Sequence, residues 1–232
     1  MNYYYLVAAL PDLTPDDTKQ IYTVENFMAD IYPQLTPDDR ALIDLHLHRP
    51  DDSIFSEEEK EAFAGEKILM ADRLAARYYA DGMKCANRFV ASWFEFNLNV
   101  NNILVALTAR KYKLEVAPLI VGDTEVAHAL RTSGARDFGL GSEVDYLDTL
   151  IKIADTDELL ERERQIDRLR WQWMEDATFF NYFSVERLFV FLMQLEMIAR
   201  WLSLDKEQGN RVFRSLISGL KDEIQIPDEF RK

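Results

Sequence analysis

Glu196 and Arg200 are the residues whose type and spacing most demand a chemical account. They lie four apart in the most apolar segment of the chain, which runs from Val185 to Ile198. On a helix that spacing puts both on one face, a turn apart, where an ion pair forms. A charge in so apolar a segment persists only when it is paired or hydrogen-bonded. The pair is therefore expected to be a buried structural ion pair rather than a catalytic one.

The remaining reactive types point to no reaction. The histidines are His46, His48 and His128. On a helix His46 and His48 point about 200° apart and cannot share a metal. Glu125 and His128 make one Glu-x-x-His pair, whereas a di-iron bundle needs two such pairs and two further glutamates. Cys85 has no second cysteine to pair with, so it reads as a structural core thiol. Asp137-Phe138-Gly139 spells a kinase tripeptide without the glycine-rich loop, lysine or catalytic-loop residues that give it meaning. No phosphate loop, dinucleotide fingerprint or nucleophile elbow is present. The aromatic run Trp171, Trp173, Phe179, Phe180, Tyr182, Phe183 could line a ligand pocket but reads as plain core. No catalytic residue, metal or cofactor is expected.

The elements that must position these residues read as helices. In Leu-Thr-Pro-Asp-Asp at 13–17 and again at 35–39, Thr14 or Thr36 fits an N-cap and the following proline the first helical position. Ser56 and Glu59 form a capping box. Helical spacing continues through Phe63, Ile68 and Tyr79, with Gly82 an interruption before Phe89, Val90, Trp93 and Phe94. A separate helix is expected from about Asn99 to Lys113. Residues 114–141 are broken by Pro118, Gly122, Gly134, Gly139 and Gly141, with a short helix from Thr124 to Arg131. Ser142 with Asp145 is expected to start a helix to Ala154, Thr156 to cap the next, and Ser184 to start the central apolar one. A polar tail follows Pro227. Residues 2–10 fit either a short strand or a helix, and a minor strand pair is allowed there or near 114–122.

Length and composition agree with this outline. The 232 residues are 48% hydrophobic and only 8 are glycine, which suits an all-α protein, an irregular multi-helix bundle forming one domain over 1–232. The net charge of −14 disfavours nucleic acid and anionic membrane surfaces. Residues 1–64 hold 14 acidic and 4 basic side chains, an acidic region ahead of a helical core at 65–232. Asp38, Asp39, Asp51 and Asp52 are its candidate partner-facing residues, with surface solubility as the alternative role. The chain has neither a signal-peptide pattern nor a membrane-spanning apolar run, so it is expected to be soluble and cytoplasmic.

A resemblance adds a function. Glu163-x-x-x-Asp167, Trp171, Phe183-Ser184 and an apolar helix carrying Glu196 and Arg200 resemble the repeated unit of the C/d-type stalk subunit of V-type (archaeal-type) ATPases. Phe96-Asn97-Leu98-Asn99-Val100-Asn101-Asn102 through Arg110 is similar to the unit's asparagine-rich entry and apolar helix. Leu119-Ile120-Val121-Gly122 is similar to the loop after it. The opening Tyr3-Tyr4-Tyr5-Leu6-Val7-Ala8-Ala9-Leu10-Pro11 resembles a bacterial branch of proteins that accompany V-type ATPases. Family members are longer and built from three similar helical units. The resemblance implies a non-catalytic central-stalk subunit that couples the rotor shaft to the membrane ring. Its partners would be the other components of that ATPase, and it would sit on the inner membrane face through the complex, without inserting and without a small-molecule substrate. A stand-alone helical interaction or assembly module is the alternative, and an enzyme with a site in the aromatic run is the third reading.

Overall fold

The computed structural model describes residues 3–17, 22–63 and 70–204. These residues form ten α-helices and three 3₁₀ turns, and no strand is found among them. In chain order the helices are α1 (Tyr4–Ala8), α2 (Val24–Ile31), α3 (Pro37–Leu47), α4 (Glu57–Phe63), α5 (Met70–Met83), α6 (Arg88–Lys111), α7 (Glu125–Thr132), α8 (Leu147–Ala154), α9 (Leu159–Thr178) and α10 (Val185–Ser203).

Several helices begin where local chemistry demands. The Thr36 side chain accepts from the backbone N–H of Asp39, and Pro37 occupies the first turn of α3. Ser56 and Glu59 satisfy each other's backbone N–H groups ahead of α4, at 2.8 and 3.2 Å. Thr124 caps α7 through the N–H of Ala127. The first Leu-Thr-Pro-Asp-Asp copy instead makes a turn, with Asp17 accepting from the Thr14 N–H and hydroxyl at 2.9 Å. Residues 18–21, where a helix would continue, lie outside the described residues, as does Ile68 of the expected 56–79 stripe and the tail beyond Leu204.

One open reading is settled and three expectations are corrected. The opening segment, which fits either a strand or a helix, is the helix α1. Residues 88–111 form one continuous helix, so the asparagines lie inside α6 rather than at the entry to a second helix. Asparagine usually breaks helices by bonding to its own backbone. Here three of the four bond sideways: Asn99 to Thr124, Asn101 to Tyr79, and Asn102 to Val121. Only Asn97 bonds back to its own helix, at the Trp93 carbonyl. Second, α8 starts at Leu147, not Ser142. Turns around Phe138, Leu140 and Val144 drive those side chains into the core first. Third, the cap of α9 is Glu158, which accepts from the N–H groups of Leu160 and Glu161. The Thr156 hydroxyl turns away to the Lys152 carbonyl and to Gln165.

The hub of the molecule is α6. Helices α5, α7, α8 and α9 pack against it, while α10 packs on α9 and α2. Aromatic contacts join these layers. Trp173 of α9 stacks on Phe96 of α6 with centroids 4.8 Å apart, and Phe89 of α6 reaches Phe189 of α10. Phe27 of α2 meets Phe191 of α10 at 5.0 Å. Leu188 through Leu195 are all buried, as expected of a helix apolar on nearly every side. Residues from the acidic region share this core, among them Tyr3, Val7, Phe27, Ile31 and Ile43. Gly82 is a close-approach glycine: a Cβ there would lie 2.1 Å from the Phe94 ring, so its absence lets α5 lie against α6. No helix among the described residues is long and apolar enough to cross a membrane.

Candidate functional site

The expected Glu196–Arg200 ion pair does not form. Each residue has its own tertiary partner, one on α3 and the other on α9. Glu196 accepts from His46 Nε2 of α3 at 2.8 Å. Arg200 pairs with Asp167 of α9. Nor is either side chain deeply buried: Glu196 is 37% exposed and Arg200 45%. Asp167 is the buried charge, with 8% of its side chain exposed. It also accepts from Trp201 Nε1 at 2.8 Å and faces Arg170 at 3.5 Å. Its carboxylate is thus shared by two guanidinium groups and an indole, enough to offset its desolvation.

These two networks line one cleft of about 350 Å³ between α3, α5, α6, α9 and α10. Three helices each contribute a polar pair at helical spacing: Asn97 and Asn101 from α6, Asp167 and Arg170 from α9, Glu196 and Arg200 from α10. Arg49, just after α3, and the α5 tyrosines Tyr78 and Tyr79 complete it. Arg49 places its guanidinium 5.6 Å from the Tyr78 ring centre, a cation–π contact. No carboxylate pairs with Arg49 among the described residues. Asn101 donates to the Tyr79 hydroxyl and accepts from Arg170. The Arg170 side chain is 17% exposed, and its Nε is buried without a hydrogen-bond partner. His46 Nδ1 is unpartnered likewise.

Electrostatics in the cleft follow from burial. Desolvation lowers the pKa of Arg170, Asp167 opposes that shift, and the like charge of Arg200 reinforces it. Burial pushes Tyr78 up to about 12, against the pull of Arg49. Tyr79 is raised for the same reason, against Arg170 and Arg49. Both phenols therefore stay neutral and able to donate. The cleft holds three guanidinium groups against two carboxylates, a positive balance in a chain of net charge −14. Sequence reasoning missed Arg49, Arg170, Tyr78, Tyr79 and Asn101. A signal existed for Arg170 and Asn101, which lie three or four residues from another polar group on the buried face of a helix. Arg49 sits in a loop and carries no such signal.

A larger groove of about 590 Å³ adjoins the cleft at Asp167 and Met197, walled by Trp171, Ile198 and Trp201. The remaining candidate residues are dispersed. Asp39 accepts from the Tyr3 hydroxyl and the Thr36 hydroxyl, and Asp51 accepts from the Ser53 N–H. Asp38 and Asp52 are exposed. Cys85 is half-buried against the core, and His128 and Glu125 are exposed. No group of three or more metal-ligating side chains converges among the described residues.

The aromatic run splits in two. Trp171 and Trp173 join the core, but the α9–α10 corner does not. Phe179 is 72% exposed and Phe180 92%, with Tyr182 and Phe183 half-exposed beside them. The start of the chain lies on the same corner, for the Tyr3 N–H donates to the Phe183 carbonyl at 2.7 Å. Tyr4 packs on Phe183 at 4.7 Å, and Tyr5 is 93% exposed. A monomer rarely leaves so many large aromatic side chains together in water unless they meet another molecule.

The fold and these surfaces define an all-helical protein with a polar internal cleft and an aromatic corner. The chain belongs to the family described as "Protein of unknown function (DUF2764)", whose model matches residues 1–63 and 54–224. Comparison with curated proteins and with solved structures gives no match.

Proposed function

We propose that this protein is a non-catalytic central-stalk subunit of a V-type rotary ATPase, coupling the rotor shaft to the membrane ring from the inner face of the membrane. The observation that carries this reading is the assembly of the resemblance's separate motifs into joined pieces. Asp167 of the amphipathic α9 is held by Arg200 and Trp201 of the apolar α10. Asn102 of the asparagine-rich α6 holds both the N–H and the C=O of Val121 in the loop that follows, at 3.0 and 2.8 Å. Rigid helix-to-helix and helix-to-loop ties of this kind suit a part that transmits torque. The exposed aromatic corner supplies an apolar docking face, and aromatic side chains of this type dominate binding energy at protein interfaces.

The same corner would serve a stand-alone interaction or assembly module, so the test must identify the partner. A tagged copy is purified from its native cells under mild detergent. Shaft and ring components are expected to co-purify with it in fixed ratio, and the double change Phe179→Ser, Phe180→Ser is expected to release them without lowering thermal stability. Recovery free of every rotary-ATPase component overturns the stalk assignment in favour of the module.

A further inference from the structure

We propose that the cleft between α3, α5, α6, α9 and α10 is a binding site for a small phosphate-bearing ligand, held by Arg49, Arg170 and the Tyr79 hydroxyl. This goes beyond the stalk reading and does not depend on it.

The hydrogen-bonding groups of the cleft divide into those already spent and those left over. Both carboxylates are engaged, Asp167 by Arg200, Arg170 and Trp201, and Glu196 by His46. Asn101 is used on both sides of its amide. What remains includes three donors. Arg170 Nε is buried and unpartnered. Arg49 packs on the Tyr78 ring and pairs with no carboxylate among the described residues. The Tyr79 hydroxyl already accepts from Asn101, which leaves its hydrogen to donate. Guanidinium groups cannot accept, so these donors cannot satisfy one another.

An acceptor-rich anion does satisfy them. A carboxylate offers two oxygens in one plane, matched to a single guanidinium fork, and Asp167 already fills that role here. A phosphate group offers oxygens in a tetrahedral spread, matched to donors arriving from three separate elements. The volume fits as well. At about 350 Å³ the cleft lies within the roughly 300–1,000 Å³ range of small-molecule sites, with space for an organic body beside the phosphate. Tyr78, Trp93 and Phe94 supply the apolar wall such a body would meet.

The test is calorimetric titration of the purified full chain with inorganic phosphate, pyrophosphate and citrate. Saturable one-to-one binding of pyrophosphate is expected, tighter than inorganic phosphate and much tighter than citrate. Arg49→Gln, at the exposed rim, should leave the ligand-free thermal midpoint unchanged and weaken pyrophosphate binding about tenfold, the scale of one lost charge-assisted contact. Arg136→Gln, exposed and outside the cleft's lining, should change binding little. Arg170→Gln is less informative, since it also breaks the Asp167 network. The proposal is overturned by absence of binding to either phosphate, by equal weakening in the Arg49 and Arg136 variants, or by citrate binding as tightly as pyrophosphate.

Discussion

Asp167 carries more of this molecule's electrostatic risk than any residue of the apolar α10. It is 8% exposed and sits between Arg170 and Arg200. Asp167→Asn leaves the mostly buried Arg170 without its counter-charge, and removing one partner of a buried pair costs about 3–5 kcal/mol. Glu196→Gln acts on a pair that is more than one-third open to water on the Glu196 side. Its cost should be under about 1 kcal/mol. Urea unfolding of the two variants ranks them, and an equal loss would refute the assignment of the buried charge to Asp167. The sequence correctly marked Glu196 and Arg200 as charges needing partners. It offered the wrong partners, because an i,i+4 neighbour is the only one visible in one dimension. His46 is 150 residues from Glu196, and Asp167 is 33 from Arg200.

At the scale of elements, some capping signals were legible, whereas those at Ser142 and Thr156 misled and helix continuity was not legible. Thr36, Ser56 and Thr124 start helices as their local chemistry requires. The asparagines of α6 read as an interruption because their side-chain bonds reach other elements, which periodicity cannot display. Gly82 reads as an interruption before Phe89, and α5 ends one residue after it, at Met83. It also lets α5 lie close against Phe94 of α6. Gly82→Ala would gain helix propensity, about 1 kcal/mol on intrinsic scales. It would also force a methyl group into the buried Phe94 ring, an overpacking cost of typically 1–3 kcal/mol. We expect net destabilisation, and relief of part of it in the double variant Gly82→Ala, Phe94→Leu. A stabilised single variant in thermal unfolding would contradict this packing.

Over the whole molecule, charge and apolar surface lie on different parts of the chain. The acidic bias belongs to residues 1–64, while most of the aromatic corner comes from the α9–α10 turn. Asp39 and Asp51 are engaged in local hydrogen bonds, so Asp38 and Asp52 are the cleaner probes of steering. Converting both to Asn should leave stability within about 0.5 kcal/mol. If the acidic region guides docking on a basic partner, association at low salt slows several-fold, and the difference between the two forms vanishes as salt rises. Identical rates for both forms at every ionic strength would assign these aspartates to solubility alone.

The bond between the Tyr3 N–H and the Phe183 carbonyl has a consequence for synthesis. The chain emerges from the ribosome N-terminus first, yet its first helix docks against a turn about 180 residues later. At roughly 5–20 residues per second, the opening aromatic residues wait on the order of 10–35 s for their binding site to be made. During that interval Val7 and Phe27, both buried in the finished core, are without the α9–α10 surfaces that cover this end of the molecule. Until α9 and α10 are made, these apolar side chains lack their native cover and are open to non-native contacts.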